Sequence, residues 1–257
     1  MKKYKLTNET IVHLGFTLYR IEALMDFSDV KTGDKGGFVQ SENNLSQLGN
    51  AWVYGNAKVY GDAEVYGNAE VYGDAEVFDN AEVYDNAKVY GNAKVYGDAE
   101  VFDNAEVYDN AKVYGNAKVY GDAEVYDNAF VCGYAEVYDN SEVCGNAEVC
   151  GDAGVYGNAF VCDYVKVRGD ADVYGKAEVR GDAKVYKNSD YIVFKNWWSS
   201  GRYFTWTRSN KMWKVGCFYG NGEQLIKKAY ADSEESGKEY ERVVRYVESI
   251  LADELNK

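Results

Sequence analysis

Four cysteines of this 257-residue chain fall into two overlapping pairs, Cys132 with Cys150 and Cys144 with Cys162, each pair eighteen positions apart. Thiols spaced this way can bind a soft metal, close into disulfides or simply fill apolar space. Thiolate metal sites commonly use C-x-x-C, and no such motif occurs. The carboxylates are plentiful, 42 Asp and Glu against 28 Lys and Arg. They recur in one repeated phrase, so none stands apart as an acid–base pair. Columns of aspartates would hold calcium weakly, but no loop has the ligand pattern of a dedicated site. The single histidine, His13, lies outside the repeat and reads as ordinary surface or cap. "GDKGG" (33–37) lacks the Lys-Ser/Thr that completes a phosphate loop and reads as a turn. No catalytic residue, metal site or cofactor is expected.

The elements that position these residues come from a repeat. From Val53 to Val185 a valine stands at every sixth position without a miss, in the unit V-Y-[GD]-[ND]-A-[KE]. Along A-K-V-Y the side chains alternate, so Ala and Val point inward while Lys or Glu and Tyr point outward. The Gly-Asn, Gly-Asp or Asp-Asn pair then turns a corner. Residues of this type tolerate positive φ, expected here at the second position of the pair. The unit resembles the bacterial hexapeptide-repeat family over about half of the chain. That resemblance implies a mainly β fold, a left-handed parallel β-helix of triangular section. It would have eighteen residues per coil and about seven to eight coils.

Stacking at eighteen residues sets out three outer columns. The first face carries Tyr54, Tyr72, Tyr90, Tyr108 and Tyr126, then Cys144, Cys162 and Arg180. The second carries Tyr60, Phe78, Tyr96 and Tyr114, then Cys132, Cys150, Arg168 and Tyr186, with mixed charge beside them. The third keeps Tyr66, Tyr84, Phe102, Tyr120, Tyr138, Tyr156 and Tyr174, beside Glu64, Glu82, Glu100 and Glu136. The third face is thus acidic and aromatic along its length. Such ladders stabilise a parallel sheet by themselves, and they also form flat surfaces that a partner would cover.

Two phrases break the repeat, "AFVCGYA" (129–135) and "AFVCDYV" (159–165). They bring in Phe130 and Phe160, and they put Tyr134 and Tyr164 at corner positions where positive φ would strain them. With the four paired cysteines, Arg168 and Arg180, they read as one binding patch near a single edge, or as a transition toward a cap. Stacked cysteines lie within disulfide reach, but parallel Cβ vectors and a reducing compartment favour free thiols standing in for tyrosine.

Residues 1–50 break the period and read as an N-terminal β cap, with a strand over 15–24. "DFSDVKTGDKGGFV" and "LSQLGNAWVY" resemble the start of YdcK-like hexapeptide proteins, which implies a cap on the open first coil. The repeat occupies 51–189. Residues 190–257 read as a small α+β module with strands at 192–194, 203–207 and 213–218 and two helices. Asn221-x-x-Gln224 and Ser236-x-x-Glu239 have the form of helix N-caps, and a stripe from Tyr240 to Leu251 that of a buried helix face. This segment resembles C-terminal segments of phage and prophage proteins. It reads as a cap, or as a docking module contacting a partner through Trp197, Trp198 and Trp206.

The net charge of −14 argues against direct nucleic-acid or anionic-membrane binding. No apolar run is long enough to span a bilayer, and residues 1–12 lack the apolar core of a signal peptide, so a cytoplasmic protein is expected. Hexapeptide-repeat acyltransferases and γ-class carbonic anhydrases use coil histidines, and these coils have none, so the chain reads as non-enzymatic. The leading expectation is a rigid acidic binding protein for a partner with a basic surface. A phage-encoded inhibitor of a host defence or nucleic-acid-binding factor fits that expectation. A self-assembling scaffold, dimeric or trimeric, is the alternative. A small-molecule or nucleotide binder, or a degenerate hexapeptide transferase, is the third.

Overall fold

A computed structural model describes residues 2–198 and 200–255. The repeat builds a solenoid of about eight stacked parallel coils whose rungs belong to three sheets. Most rungs are two residues long, a polar residue and its valine, such as Trp52–Val53, Lys58–Val59 and Glu64–Val65. Each pairs with the third rung along: Lys88 faces Glu70 on one side and Glu106 on the other, and Val89 faces Val71 and Val107. The first, second and third faces expected from the sequence are the outer surfaces of an eight-, an eleven- and a seven-stranded sheet.

The core is one continuous column of repeat valines and alanines, essentially inaccessible to solvent. Ser141 takes an alanine position, and its hydroxyl donates to the Tyr138 and Val155 carbonyls, so the buried oxygen is satisfied.

The corners differ from expectation. Positive φ falls on the first corner residue, as at Gly67 (71°), Asp85 (56°) and Asp127 (59°). A Cβ on Gly67 would lie 2.8 Å from the Asp85 backbone nitrogen, so a side chain there would require the backbone to shift. Tyr134, Tyr164 and Lys176 hold the second position, after Gly133, Asp163 and Gly175, and do not have positive φ. The strain expected at the two tyrosines is absent because the residue before each one makes the turn.

Each coil donates its N–H groups to carbonyls of the coil that follows, as Trp52 N does to Ala69 O at 3.0 Å. The first coil therefore leaves carbonyls unpaired and the last coil leaves N–H groups, and the two caps supply the opposite chemistry. At the start, the buried Asn44 amide donates to Gly61 O (3.0 Å) and Ala63 O (2.9 Å), and Lys3 Nζ donates to Ala51 O at 2.8 Å. Burial lowers the Lys3 ammonium to a pKa of about 8. At the far end, Asn188 Oδ1, Thr205 Oγ1 and Ser209 Oγ accept from the amides of Asp172, Glu178 and Lys184.

The N-terminal cap is a hairpin of β1 (Tyr4–His13) and β2 (Phe16–Ala23), followed by β3 (Lys35–Val39), which joins the eleven-stranded sheet. The expected "GDKGG" turn is only partly a turn. Gly33 turns with φ 91°, but Lys35, Gly36 and Gly37 are strand. A Cβ on Gly36 or Gly37 would lie 2.5 or 2.6 Å from a coil carbonyl, so these glycines permit close packing. Leu18 and Phe38 cover Tyr60, with Ile11 and Phe78 beside them, so the cap overlies the start of the second face.

The C-terminal segment is a four-stranded antiparallel sheet with two helices. The third expected strand divides at Gly216 (φ 53°) into Met212–Val215 and Phe218–Gly220. Helix α1 (Gly222–Asp232) has the expected capping box between Asn221 and Gln224. Helix α2 (Glu234–Leu255) starts before Ser236. Its first turn is instead held by the Ser233 hydroxyl, which accepts from Ser236 N at 3.1 Å. Val244 and Val247 bury the α2 stripe against Phe204, Trp206 and Trp213.

Candidate functional site, the outer faces of the solenoid

The repeat tyrosines stack. On the third face, successive rings from Tyr66 to Tyr156 have centroids 4.8–4.9 Å apart and planes within 7°. The first face stacks in the same way from Tyr72 to Tyr126, and the second from Tyr60 to Tyr114. The sequence reading missed where the hydroxyls go. Seven of them reach forward one coil to a glutamate sixteen residues on, among them Tyr66 to Glu82 (2.6 Å), Tyr84 to Glu100 (2.9 Å), Tyr108 to Glu124 (2.7 Å) and Tyr120 to Glu136 (3.1 Å). Partial burial, and then these carboxylates, push the phenols well above their ordinary range. The recurring Y…E spacing carried this signal.

A second missed feature runs along a corner. Asn50, Asn68, Asn86 and Asn104 form a ladder, each amide nitrogen donating to the side-chain oxygen one coil on, and Asp122 ends it (2.9–3.1 Å). A shallow groove of about 420 Å³ follows this corner, lined with Asp85 and Asp103 as well.

The faces differ in charge. The third carries Glu64, Glu82, Glu100, Glu136 and Asp172 against one cation, Lys118. Lys118 sits 2.8 Å from Glu100. Burial pushes the Glu100 carboxyl up, but Lys118 and Tyr84 outweigh it and hold the group below its ordinary range. Glu64 and Glu136 are exposed. The first face is also acidic, with five glutamates against Lys88 and Arg180. The second face, expected to be mixed, is basic from Lys94 onward. It carries Lys94, Lys112, Lys166, Lys184 and Arg168 against Glu148 alone.

The other acid of that face, Glu76, is buried at the N-terminal cap. It accepts from Tyr60 and Lys94, both at 3.2 Å, and His13 Nε2 lies 3.3 Å away without hydrogen-bond geometry. Burial pushes the Glu76 carboxyl up, but Lys94 and His13 outweigh it and hold it low. His13 packs edge-on against Tyr60, so it belongs to the cap contact.

The cysteines depart from the expected free thiols. Cys132–Cys150 and Cys144–Cys162 are both disulfides, with Cα atoms 4.6 Å apart in each pair. Register neighbours on parallel rungs hold the Cα atoms within bridging distance, and this proximity prevails over the unfavourable Cβ directions. Cys217 is free and exposed.

The residues of the expected patch lie on the two faces assigned to them from the sequence. Phe130, Cys132, Cys150 and Arg168 lie on the second face, whereas Cys144, Phe160, Cys162 and Arg180 lie on the first. Tyr134 marks the edge between the second and third faces, and Tyr164 the edge between the first and second. Each phenylalanine is covered by a cation, Phe130 by Lys112 at 5.4 Å and Phe160 by Arg180 at 4.4 Å. Arg168 and Lys166 both pair with Glu148 and hold its carboxyl low. Of the three candidate tryptophans, only Trp197 is exposed, at 81%. Trp206 is buried and Trp198 packs on Phe204 and Tyr240, because alternation along Tyr203–Thr207 turns Phe204 and Trp206 toward the helices.

Among the described residues, no group of three or more His, Cys, Asp or Glu side chains is placed to hold a metal ion, and no helix is long and apolar enough to cross a membrane. No protein-family model matches the chain, and no curated protein matches it significantly.

Proposed function

We propose that the chain is a non-enzymatic interaction protein whose third face docks on a basic partner surface. The coil is read as left-handed with eighteen residues per turn, in keeping with the hexapeptide resemblance and the pairing of residues eighteen apart. The observation that carries the proposal is the third face itself. It combines the one tyrosine stack that runs uninterrupted to Tyr174 with a nearly unbroken column of acids. Tyr–Glu hydrogen bonds fix Glu82, Glu100 and Glu136 in place, so these side chains have less entropy left to lose on meeting a partner. A nucleic-acid-binding or defence factor has the basic surface that this face would fit. The two disulfides favour an oxidising setting over the cytosolic one expected from the sequence.

Calorimetry with a decalysine peptide tests this reading. Binding should weaken steeply as salt rises. Glu82→Lys/Glu136→Lys should lose it, while Glu70→Lys/Glu124→Lys on the first face should retain most of it. Equal losses in the two variants would mean that the third face has no special role.

A further inference from the structure

The second face of the chain presents the surface that the third face is built to meet. From Lys94 onward it is cationic but for Glu148, and the third face is anionic but for Lys118. Both repeat with the coil, at the ring-to-ring step of 4.8 Å seen in the tyrosine stacks. Charges on one face can therefore keep step with charges on the other over many coils.

We propose that the partner of the third face is the second face of another copy of this chain. The proposal rests on the reading of the third face as a docking surface and names its occupant. With the two rods parallel and staggered by two coils, Lys94 comes level with Glu64, Lys112 with Glu82 and Lys166 with Glu136. The same stagger sets the one acid of the basic face, Glu148, on the one cation of the acidic face, Lys118. Opposite charges meet at these four positions, and the other rungs bring no like charges together. Like charges facing each other across an interface oppose association, so this pattern selects the register as well as the partner. The apolar contact comes from tyrosine rings on both faces, with Tyr96 and Tyr114 half-buried on the second. The N-terminal hairpin overlies only the start of the second face and leaves this stretch open.

Two different faces meet, so the contact is heterologous. Each bound copy still offers a free second or third face, and the stagger displaces each copy along the axis, so association continues beyond a dimer.

Sedimentation velocity over a concentration series tests the proposal. At low ionic strength the wild type should give a ladder of species larger than a dimer, returning to monomer in high salt. Lys112→Glu/Lys166→Glu should be monomeric, and so should Glu82→Lys/Glu136→Lys, each with the wild-type β signal in circular dichroism. Mixing the two variants should restore assembly, because the reversed faces complement each other. A wild type that stays monomeric at low salt, variants that assemble unchanged, or a mixture that stays monomeric would each overturn the proposal. Decalysine binding separates the two levels of the reading. Retained binding by Lys112→Glu/Lys166→Glu in a chain that never assembles removes only the self-pairing. Loss of any preference for the third face removes that face as a docking surface altogether.

Discussion

Asp85 and Asp127 have the same left-handed backbone but use their carboxylates differently. Asp127 Oδ2 accepts from the amide of Gly145, one coil on, at 3.0 Å, and Asp103, Asp139 and Asp163 make the equivalent bond. Asp85 makes none. Replacing either by glycine relieves an unfavourable φ and adds freedom to the unfolded chain, two effects of about 1 kcal/mol that oppose each other. Asp127→Gly also loses a charge-assisted bond. Urea melts should show Asp127→Gly less stable than Asp85→Gly by about 1 kcal/mol. Equal midpoints would show that the bond contributes nothing. The sequence foretold corners rich in Gly, Asp and Asn but misplaced the positive φ, because these residues suit either turn position. The usable clue was that glycine concentrates at the first position while asparagine keeps to the second.

At the scale of the element, the unpaired ends of the ladders decide what the caps must be. Thr205→Val keeps the shape of the strand but leaves the Glu178 N–H without its acceptor, and Asn44→Leu leaves two carbonyls without donors. Each should cost about 1–3 kcal/mol in chemical denaturation, with Asn44→Leu the larger loss. A neutral result would mean that water replaces the side chain. The tyrosine stacks set a second expectation. The phenols of Tyr66, Tyr84 and Tyr108 are held above the ordinary value, so the unfolded chain releases those protons first as pH rises. Stability is fully present below about pH 10 and falls as pH climbs through the raised values. The phenolate absorbance of these glutamate-bonded tyrosines should therefore appear together with loss of the β signal, not ahead of it. An early titration of all the tyrosines in a folded chain would contradict the Tyr–Glu bonds. The valine period made the rungs and their columns readable, because burial enforces it at every coil. The Tyr–Glu bonds and the asparagine ladder escaped that reading because they depend on how far side chains reach between coils. The basic second face escaped for another reason: only the fold shows that the N-terminal cap buries Glu76.

For the whole molecule, a solenoid coil contacts only its neighbours, so a local change need not spread along the rod. The disulfides place this property under chemical control. Each closes a loop eighteen residues apart in sequence, and the two loops overlap between Cys144 and Cys150, tying residues 132–162 into one covalent block. They stand where the tyrosine stacks of the first and second faces have stopped, so they replace ring stacking as the cross-coil tie on those faces. An 18-residue loop is worth about 3 kcal/mol in chain entropy, and the overlap keeps the pair below twice that. Under reducing conditions, amide exchange should rise across 132–162 and in the C-terminal segment beyond it, while the coils from Val53 to Tyr126 keep their protection. Cys132→Ser/Cys144→Ser should give the same pattern without a reductant. Uniform loss of protection along the rod would show that it unfolds as one unit, and no change at all would show that stacked backbone alone holds these coils.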